Sequence, residues 1–319
     1  MAGPGMTGRI VVLGGAGRLG RAAAEAFKSA GWQVASLVRG SSAGSAAPGT
    51  EIIEVDARDA QSVIAATRGA DVVLDALNVP YADWERLAPA LTDTAIAAAR
   101  ESRATLIFPG NLYNYGAGMP ARIDETTSMH PTSRKGAIRV AIETRMRGAA
   151  EGGLRTIVVR AGDYLGGEGR GSWFDRIIVK GIAAGRLTYP GPLDTIHEWA
   201  YLPDVAQAMV QLAERRERLA PFAPLGFAGH AVTGREFLAA VSRACRRDFK
   251  IDYVPWRLLK MMGLVVPVFR ELTDISYLWS TPHAIDGARL TEIIGDIPRT
   301  PLDRAITASL AALGLKRRG

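Results

Sequence analysis

A short apolar run, Arg9-Ile10-Val11-Val12-Leu13, leads directly into Gly14-Gly15-Ala16-Gly17-Arg18-Leu19-Gly20, and an alanine-rich stretch follows to Ser29. No other feature constrains the fold as strongly. The glycines satisfy GxGxxG through Gly15, Gly17 and Gly20, and GxxGxxG through Gly14, Gly17 and Gly20. Glycine permits a tight turn and lets backbone N–H groups come close to a diphosphate, which then sits at the positive end of the following helix. The bare motif is common. Placed between a strand and a helix at the head of a βαβ unit, it reads as a dinucleotide cradle. Gly14, Gly15, Gly17, Arg18, Leu19 and Gly20 are its candidate residues.

The next segments repeat the alternation. Gln33 to Val38, Glu51 to Val55, Asp71 to Asp75, Ala104 to Phe108 and Arg155 to Arg160 read as strands. Helical patterns cover about 18–29, 59–68, 83–102 and 133–151. Strand–helix alternation predicts an α/β fold with a doubly wound parallel sheet, the Rossmann arrangement, covered on both faces. After Gly162 the texture changes: Gly166 to Gly171 is a flexible break, and the later segments are mostly helical and proline-rich. Thr233-Gly234-Arg235-Glu236 fits a capping box. We expect residues 7–165 plus about 200–232 to form the cofactor-binding domain. Residues 166–199 plus 233–319 should form a smaller, mostly helical substrate-facing domain.

The cofactor is narrowed by the end of the second strand. An NAD site places an acid about 20 residues past the glycines, to hold the ribose 2′-OH. Here the chain reads Leu37-Val38-Arg39-Gly40. A carboxylate would repel a 2′-phosphate, whereas Arg39 can grip one with paired, charge-assisted hydrogen bonds. NADP(H) is therefore expected, although an ordinary exposed loop cation would also explain Arg39.

Composition excludes several other classes. With 48% hydrophobic and 22% charged residues the chain is not disordered. The densest apolar stretch, Met261 to Phe269, holds Pro267, lies between Lys260 and Arg270, and is far short of the ~18 residues of a membrane span. Cys245 is alone, and the four histidines lack metal-ligand spacing, so neither a disulfide framework nor a metal is expected. The net charge of +7 is spread along the chain, with short clusters at Arg246-Arg247 and Lys316-Arg317-Arg318 and no basic–aromatic platform. It suits a phosphorylated small molecule, and no nucleic-acid or membrane partner is expected. Met1 to Gly8 carries no signal-peptide pattern, which makes the cytoplasm the expected location.

From about Arg9 to about Leu313 the chain resembles the extended short-chain dehydrogenase/reductase superfamily, the NAD-dependent epimerase/dehydratase family. Besides the glycines, the resemblance rests on Val55-Asp56-Ala57-Arg58-Asp59, Asp75-Ala76-Leu77-Asn78, Tyr115-Gly116, Arg160-Ala161-Gly162-Asp163-Tyr164-Leu165-Gly166, and Tyr201-Leu202-Pro203-Asp204-Val205-Ala206. It implies that Asp56, with Ala57, meets the adenine amino group. Ala76, Leu77 and Asn78 would pass the nicotinamide ribose, and Ala161 and Gly162 would lie near the nicotinamide. It also implies a homodimer through paired helices, for which those at 83–102 and 133–151 are available.

The catalytic positions depart from the family pattern. Counting back from Glu143 puts Arg139 at the family's lysine and Lys135 at its tyrosine; counting back from Tyr115 puts Asn111 at its serine or threonine. Lys135-Gly136-Ala137-Ile138-Arg139 with Glu143 is similar to the KxxxR arrangement of isoflavone-reductase-like NADPH enzymes, which implies Lys135 as acid/base. Four residues apart on a helix, Lys135 and Arg139 are neighbours, and a permanent cation plus burial disfavours a protonated lysine. Arg134, Lys135 and Arg139 crowd a helix start, where the macrodipole disfavours cations, an arrangement easier to understand beside an anion. Glu143 is available to tether Arg139.

The expected function is hydride transfer between NADP(H) and a small organic carbonyl, imine or activated alkene. Lys135 would be the acid/base, with Asn111, Tyr113 and Arg139 beside it. The bland readings are that Lys135 is a solvated helix residue and Tyr113 a packing group. The alternatives are a non-catalytic NADP-sensing regulator and, more weakly, a nucleotide-sugar epimerase/dehydratase. Asp163 could position substrate or cap a turn, and His197 reads as a loop residue. Trp173, Phe174, Trp256 and Trp279 form either a pocket wall or the second domain's core.

Overall fold

The apolar alternation of the first strand decides the layering. In the computed structural model, which describes residues 8–80 and 83–315, β1 (Arg9–Leu13) turns Ile10 and Val12 to one face of a sheet and Val11 and Leu13 to the other. All four are at most 1% exposed. Burial of each contributes about 1.5–3 kcal/mol. The basic cluster Lys316-Arg317-Arg318 and residues 1–7 lie outside the described residues.

The remaining strands follow in chain order: β2 (Gln33–Val38), β3 (Glu51–Glu54), β4 (Val72–Asp75), β5 (Thr105–Gly110), β7 (Thr156–Arg160) and β11 (Phe222–Gly226). Together they make a seven-stranded sheet of order β11-β7-β5-β4-β1-β2-β3, every pair parallel. One face is covered by α1 (Arg18–Ser29), α5 (Leu202–Glu214) and α9 (Ala288–Ile294) through Phe27, Met209 and Leu290. The other face carries α2 (Ala60–Ala66), α3 (Trp84–Glu101) and α4 (Arg134–Glu151) through Val63, Ala95 and Met146. This is the Rossmann arrangement. Strand order reverses between β1 and β4, so a crevice opens there at the strands' carboxyl ends.

The later residues contain more strand than their texture suggests. β8 (Asp163–Leu165), β10 (Ile196–Tyr201) and β12 (His230–Thr233) form a three-stranded sheet, and β9 (Arg186–Tyr189) pairs with β13 (Lys250–Tyr253). These strands are short and broken by proline and glycine, which hid their alternation. Against them pack α6 (Gly234–Cys245) and α10 (Leu302–Ala312), through Phe237, Val241, Ile306 and Leu310. The capping box of α6 has both halves: Thr233 accepts from the Glu236 amide, and Glu236 accepts from the Thr233 amide. Phe174, Trp279 and their neighbours belong to this core. A hairpin of α7 (Trp256–Met262) and α8 (Pro267–Asp274) projects from it. The chain then returns to the first unit, where β14 (Ala284–Ile285) pairs with β6 (Arg122–Ile123).

Candidate functional site

The crevice is floored by backbone. After β1, the amides of Gly14 and Gly15 both donate to Leu37 O at 3.1 Å, and Gly17 N donates back to Gly14 O at 2.9 Å. Gly14 has φ +80°, a conformation that favours glycine. A Cβ on Gly20 would lie 2.3 Å from Gly14 O, and one on Gly15 2.5 Å from the Ser36 Cβ. Gly17 caps α1 without a side-chain hydrogen bond, and no acid stands in the first turn. The first amides of α1 therefore point outward with no intrahelical acceptor, as an anion site requires. These residues fit the diphosphate of a dinucleotide.

Arg18 and Arg21 reach away from this floor. Arg18 Nη2 donates to Gly166 O at 2.5 Å, and Arg21 pairs with Glu168 at 2.6 Å, so both hold the loop that follows β8. Leu19 packs between α1 and α5. At the end of β2, Arg39 is exposed. Close by, Glu54 Oε2 lies 2.8 Å from where a side chain on Gly40 would begin. Asp56 is held by Arg58 at 2.5 Å, which keeps its carboxyl at about 2; Ala57 follows on the same turn.

Beyond the cradle the carboxyl ends of β4 and β5 line an open cleft of about 350 Å³, formed by Asp75, Leu77, Asn78, Trp84, Phe108 and Arg139 among others. Ala76 is fixed by donating to Leu13 O at 3.0 Å. Asp75 is 3% exposed, and burial pushes its carboxyl up to about 7, against the pull of a hydrogen bond from Leu77 N and the charge of Arg139. The Arg139 guanidinium lies 4.8 Å from the Trp84 ring centre and 5.1 Å from that of Phe108, and it donates to Pro109 O at 3.2 Å. Its Nε has no hydrogen-bond partner among the described residues.

Asn111 ends β5 in a turn: Oδ1 accepts the Tyr113 amide at 3.1 Å, and the backbone carbonyl accepts Arg160 at 2.7 Å. Tyr113 is buried, with its ring 6.3 Å from Trp84. Asn111, Tyr113 and Arg139 thus gather at one end of the sheet beside Asp75. Ala161 and Gly162 follow β7 on the same edge. Gly162 runs so close to β10 that a Cβ there would meet Glu198 O at 2.2 Å.

Lys135 goes elsewhere. It is 1% exposed, and its amine donates to the Glu271 carbonyl at 3.0 Å and pairs with the Glu271 carboxylate. Arg134 takes the other carboxylate oxygen at 2.7 Å. Burial pushes the Glu271 carboxyl up, but hydrogen bonds and charge from Lys135 and Arg134 outweigh it and hold the group below its ordinary value. The anion that the crowded cations of α4 call for is supplied by α8 of the same chain. Glu143 serves another partner than Arg139: it pairs with Arg160 at 2.7 Å and accepts from Asn114 at 3.0 Å. That pairing ties α4 to β7.

Two residues have roles that sequence reasoning did not assign. Glu271 is the only acid between Asp252 and Asp274, a hint visible in the sequence but without a partner to attach it to. His197 lies within β10, not in a loop; it is 2% exposed, contacts Asp163 at 2.9 Å and stacks on Trp279 at 4.2 Å. Asp163 therefore holds a histidine.

The fold is that of nucleotide-sugar epimerases. A crystal structure of UDP-galactose 4-epimerase matches with TM-score 0.75 at 21% identity, covering 96% of this chain and 98% of that one. UDP-glucose 4-epimerase from Brucella ovis in complex with NAD matches with TM-score 0.77 at 18% identity, covering 97% and 98%. UDP-N-acetylglucosamine 4-epimerase from Bacillus cereus matches with TM-score 0.75 at 17% identity, covering 98% and 100%. No curated protein matches the sequence. Residues 10–222 match the family described as "NAD dependent epimerase/dehydratase family", which takes in the cradle, the cleft and all of α4. The chain belongs to that family.

Proposed function

We propose that the protein is an NADP(H)-dependent oxidoreductase acting on a small organic carbonyl, imine or activated alkene, with Lys135 in place of the usual tyrosine. The observation that carries this reading is the cleft lined by Asp75 and Arg139 at the carboxyl ends of β4 and β5, with Asn111 and Tyr113 following β5 on the same sheet edge as the glycine cradle. A nicotinamide bound across that edge would supply or accept the hydride. The chain's residues would do the rest. The α1 amides hold the diphosphate, Arg39 meets a 2′-phosphate, and Ala76 to Asn78 pass the ribose. Arg139, lacking a carboxylate within ion-pair distance among the described residues, offers its unpartnered Nε to an acceptor in the cleft. Lys135 would be the acid/base, and would have to leave its buried pair with Glu271 to reach the cleft.

The burial of Lys135 against Glu271 favours a second reading, a cofactor-sensing regulator without turnover. The epimerases that share the fold are named for UDP-sugars, but Asn111, Lys135 and Arg139 stand where the family pattern has other groups.

One experiment separates these readings. Wild type and Lys135→Ala are titrated with NADPH and NADH, then assayed against ketones, enones, imines and UDP-galactose. The expected result is tighter binding of NADPH, turnover by wild type, and a loss of about 100-fold or more in kcat for the variant with nearly unchanged NADPH affinity. Turnover retained by the variant removes Lys135 from the mechanism. Cofactor binding without any turnover establishes the sensor, and inversion of the UDP-sugar the epimerase.

A further inference from the structure

The α7–α8 hairpin turns its apolar side outward. Leu264 and Val265, at the turn, are 88% and 85% exposed; Leu258, Met261 and Val268 are 52%, 69% and 52% exposed. The hairpin is nonetheless an ordered projection. Gly263 N donates to Leu259 O at 2.8 Å and Val266 N to Met262 O at 2.8 Å, closing the turn. A Cβ on Gly263 would lie 2.9 Å from Arg270 N, so the two helices are in close contact. The base is anchored by Trp256 Nε1 donating to Pro190 O at 2.5 Å, and by Glu271.

Its charge is one-sided. From Pro255 to Arg270 there is no acid, while Arg257, Lys260 and Arg270 are all exposed. Arg257 and Lys260 make no ion pair among the described residues. Large apolar side chains exposed together on one short hairpin mark an interaction site. Long cationic side chains beside it can lie along the apolar surface while their charged ends meet anionic groups.

We infer that the α7–α8 hairpin docks the protein on the surface of a bilayer containing anionic lipid. Leu264, Val265 and Met261 enter the interfacial region, and Arg257 and Lys260 meet the headgroups, while Arg270 lies within ion-pair distance of Glu271. Charge argues against a second copy as the occupant. A two-fold contact between hairpins would set Arg257 and Lys260 against their own copies. The insertion is peripheral, since no helix among the described residues is long and apolar enough to cross a membrane.

The test is co-sedimentation of the full chain with vesicles of phosphatidylcholine alone and of phosphatidylcholine mixed with phosphatidylglycerol. The expected result is binding to the mixed vesicles only. A Leu264→Glu/Val265→Glu variant and an Arg257→Ser/Lys260→Ser variant should each bind at least tenfold more weakly, with unchanged melting temperature and cofactor affinity. Absence of binding to the mixed vesicles overturns the inference. So does equal binding to neutral vesicles, or wild-type binding by both variants. A wild-type dimer that the Leu264→Glu/Val265→Glu change dissolves, without vesicle binding, assigns the hairpin to a second copy instead.

Discussion

The glycine cradle and the start of α4 face the same sheet edge but are built in opposite ways. The cradle is backbone, shaped by four glycines within seven residues and closed by hydrogen bonds to the adjacent strand. The start of α4 is made of charged side chains, and its organising partner, Glu271, stands 136 residues further along the chain. A site made of backbone can be read from local sequence because glycine spacing dictates where N–H groups point. A site made of paired charges cannot, because the partner can come from any distance.

The largest effect should come from breaking the buried pair. Removing one member of a buried ion pair typically costs about 3–5 kcal/mol, whereas replacing both with apolar groups costs far less. Lys135→Met should fall near 3 kcal/mol, because Arg134 remains to compensate Glu271. The Lys135→Met/Glu271→Leu double variant should recover about 1–3 kcal/mol relative to the sum of the single changes. Denaturant unfolding of all four proteins checks this, and strict additivity would remove Glu271 as the organiser of α4.

Gly20→Ala tests the other side of the comparison. Its Cβ would meet the Gly14 carbonyl, which cannot swing aside as a side chain would. We expect a loss of about 1–3 kcal/mol in stability and a large loss of dinucleotide affinity by calorimetric titration. Affinity equal to wild type would mean that the cradle tolerates a methyl group and is not built as described.

Asp75 lies between the two regions, and its effect shows only as pH changes. Burial raises its carboxyl from 3.8 to about 7 in the folded chain, so the folded state keeps a proton that the unfolded state has already lost. Its contribution to stability is therefore full below about pH 3.8, declines as pH rises to about 7, and stays constant above that. Asp75→Asn should flatten this part of the pH–stability curve between the two limits. Glu198, also raised to about 7 by burial, shapes the same window and should leave a residual slope. An unchanged curve in thermal melts from pH 4 to 8 would mean that Asp75 is ionised in the folded state.

The Rossmann half was legible almost residue by residue. Its strands are continuous β-branched runs, and its helices end at glycine or begin at good caps such as Asp59 and Ser133. The short strands β8, β9, β12 and β13 were not legible, since three or four residues carry too little alternation to stand out among prolines. The pairings of the site were legible only in part. The crowding of cations on α4 signalled an anion, but pointed to a ligand where the fold supplies Glu271. Glu143 was assigned by helical spacing to Arg139, yet its partner Arg160 comes from β7, which spacing along one helix cannot show.

The distance between Lys135 and Glu271 is also an interval of time. At roughly 5–20 residues per second of synthesis, about 7–27 seconds separate the appearance of the lysine from that of its carboxylate. During that interval α4 and the last two strands of the sheet, β7 and β11, are synthesised, so the whole sheet can assemble around its aliphatic cores before Glu271 arrives. The two sides of the crevice are thus completed in sequence: the nucleotide end first, from neighbouring residues, and the lysine end only when the last third of the chain has arrived.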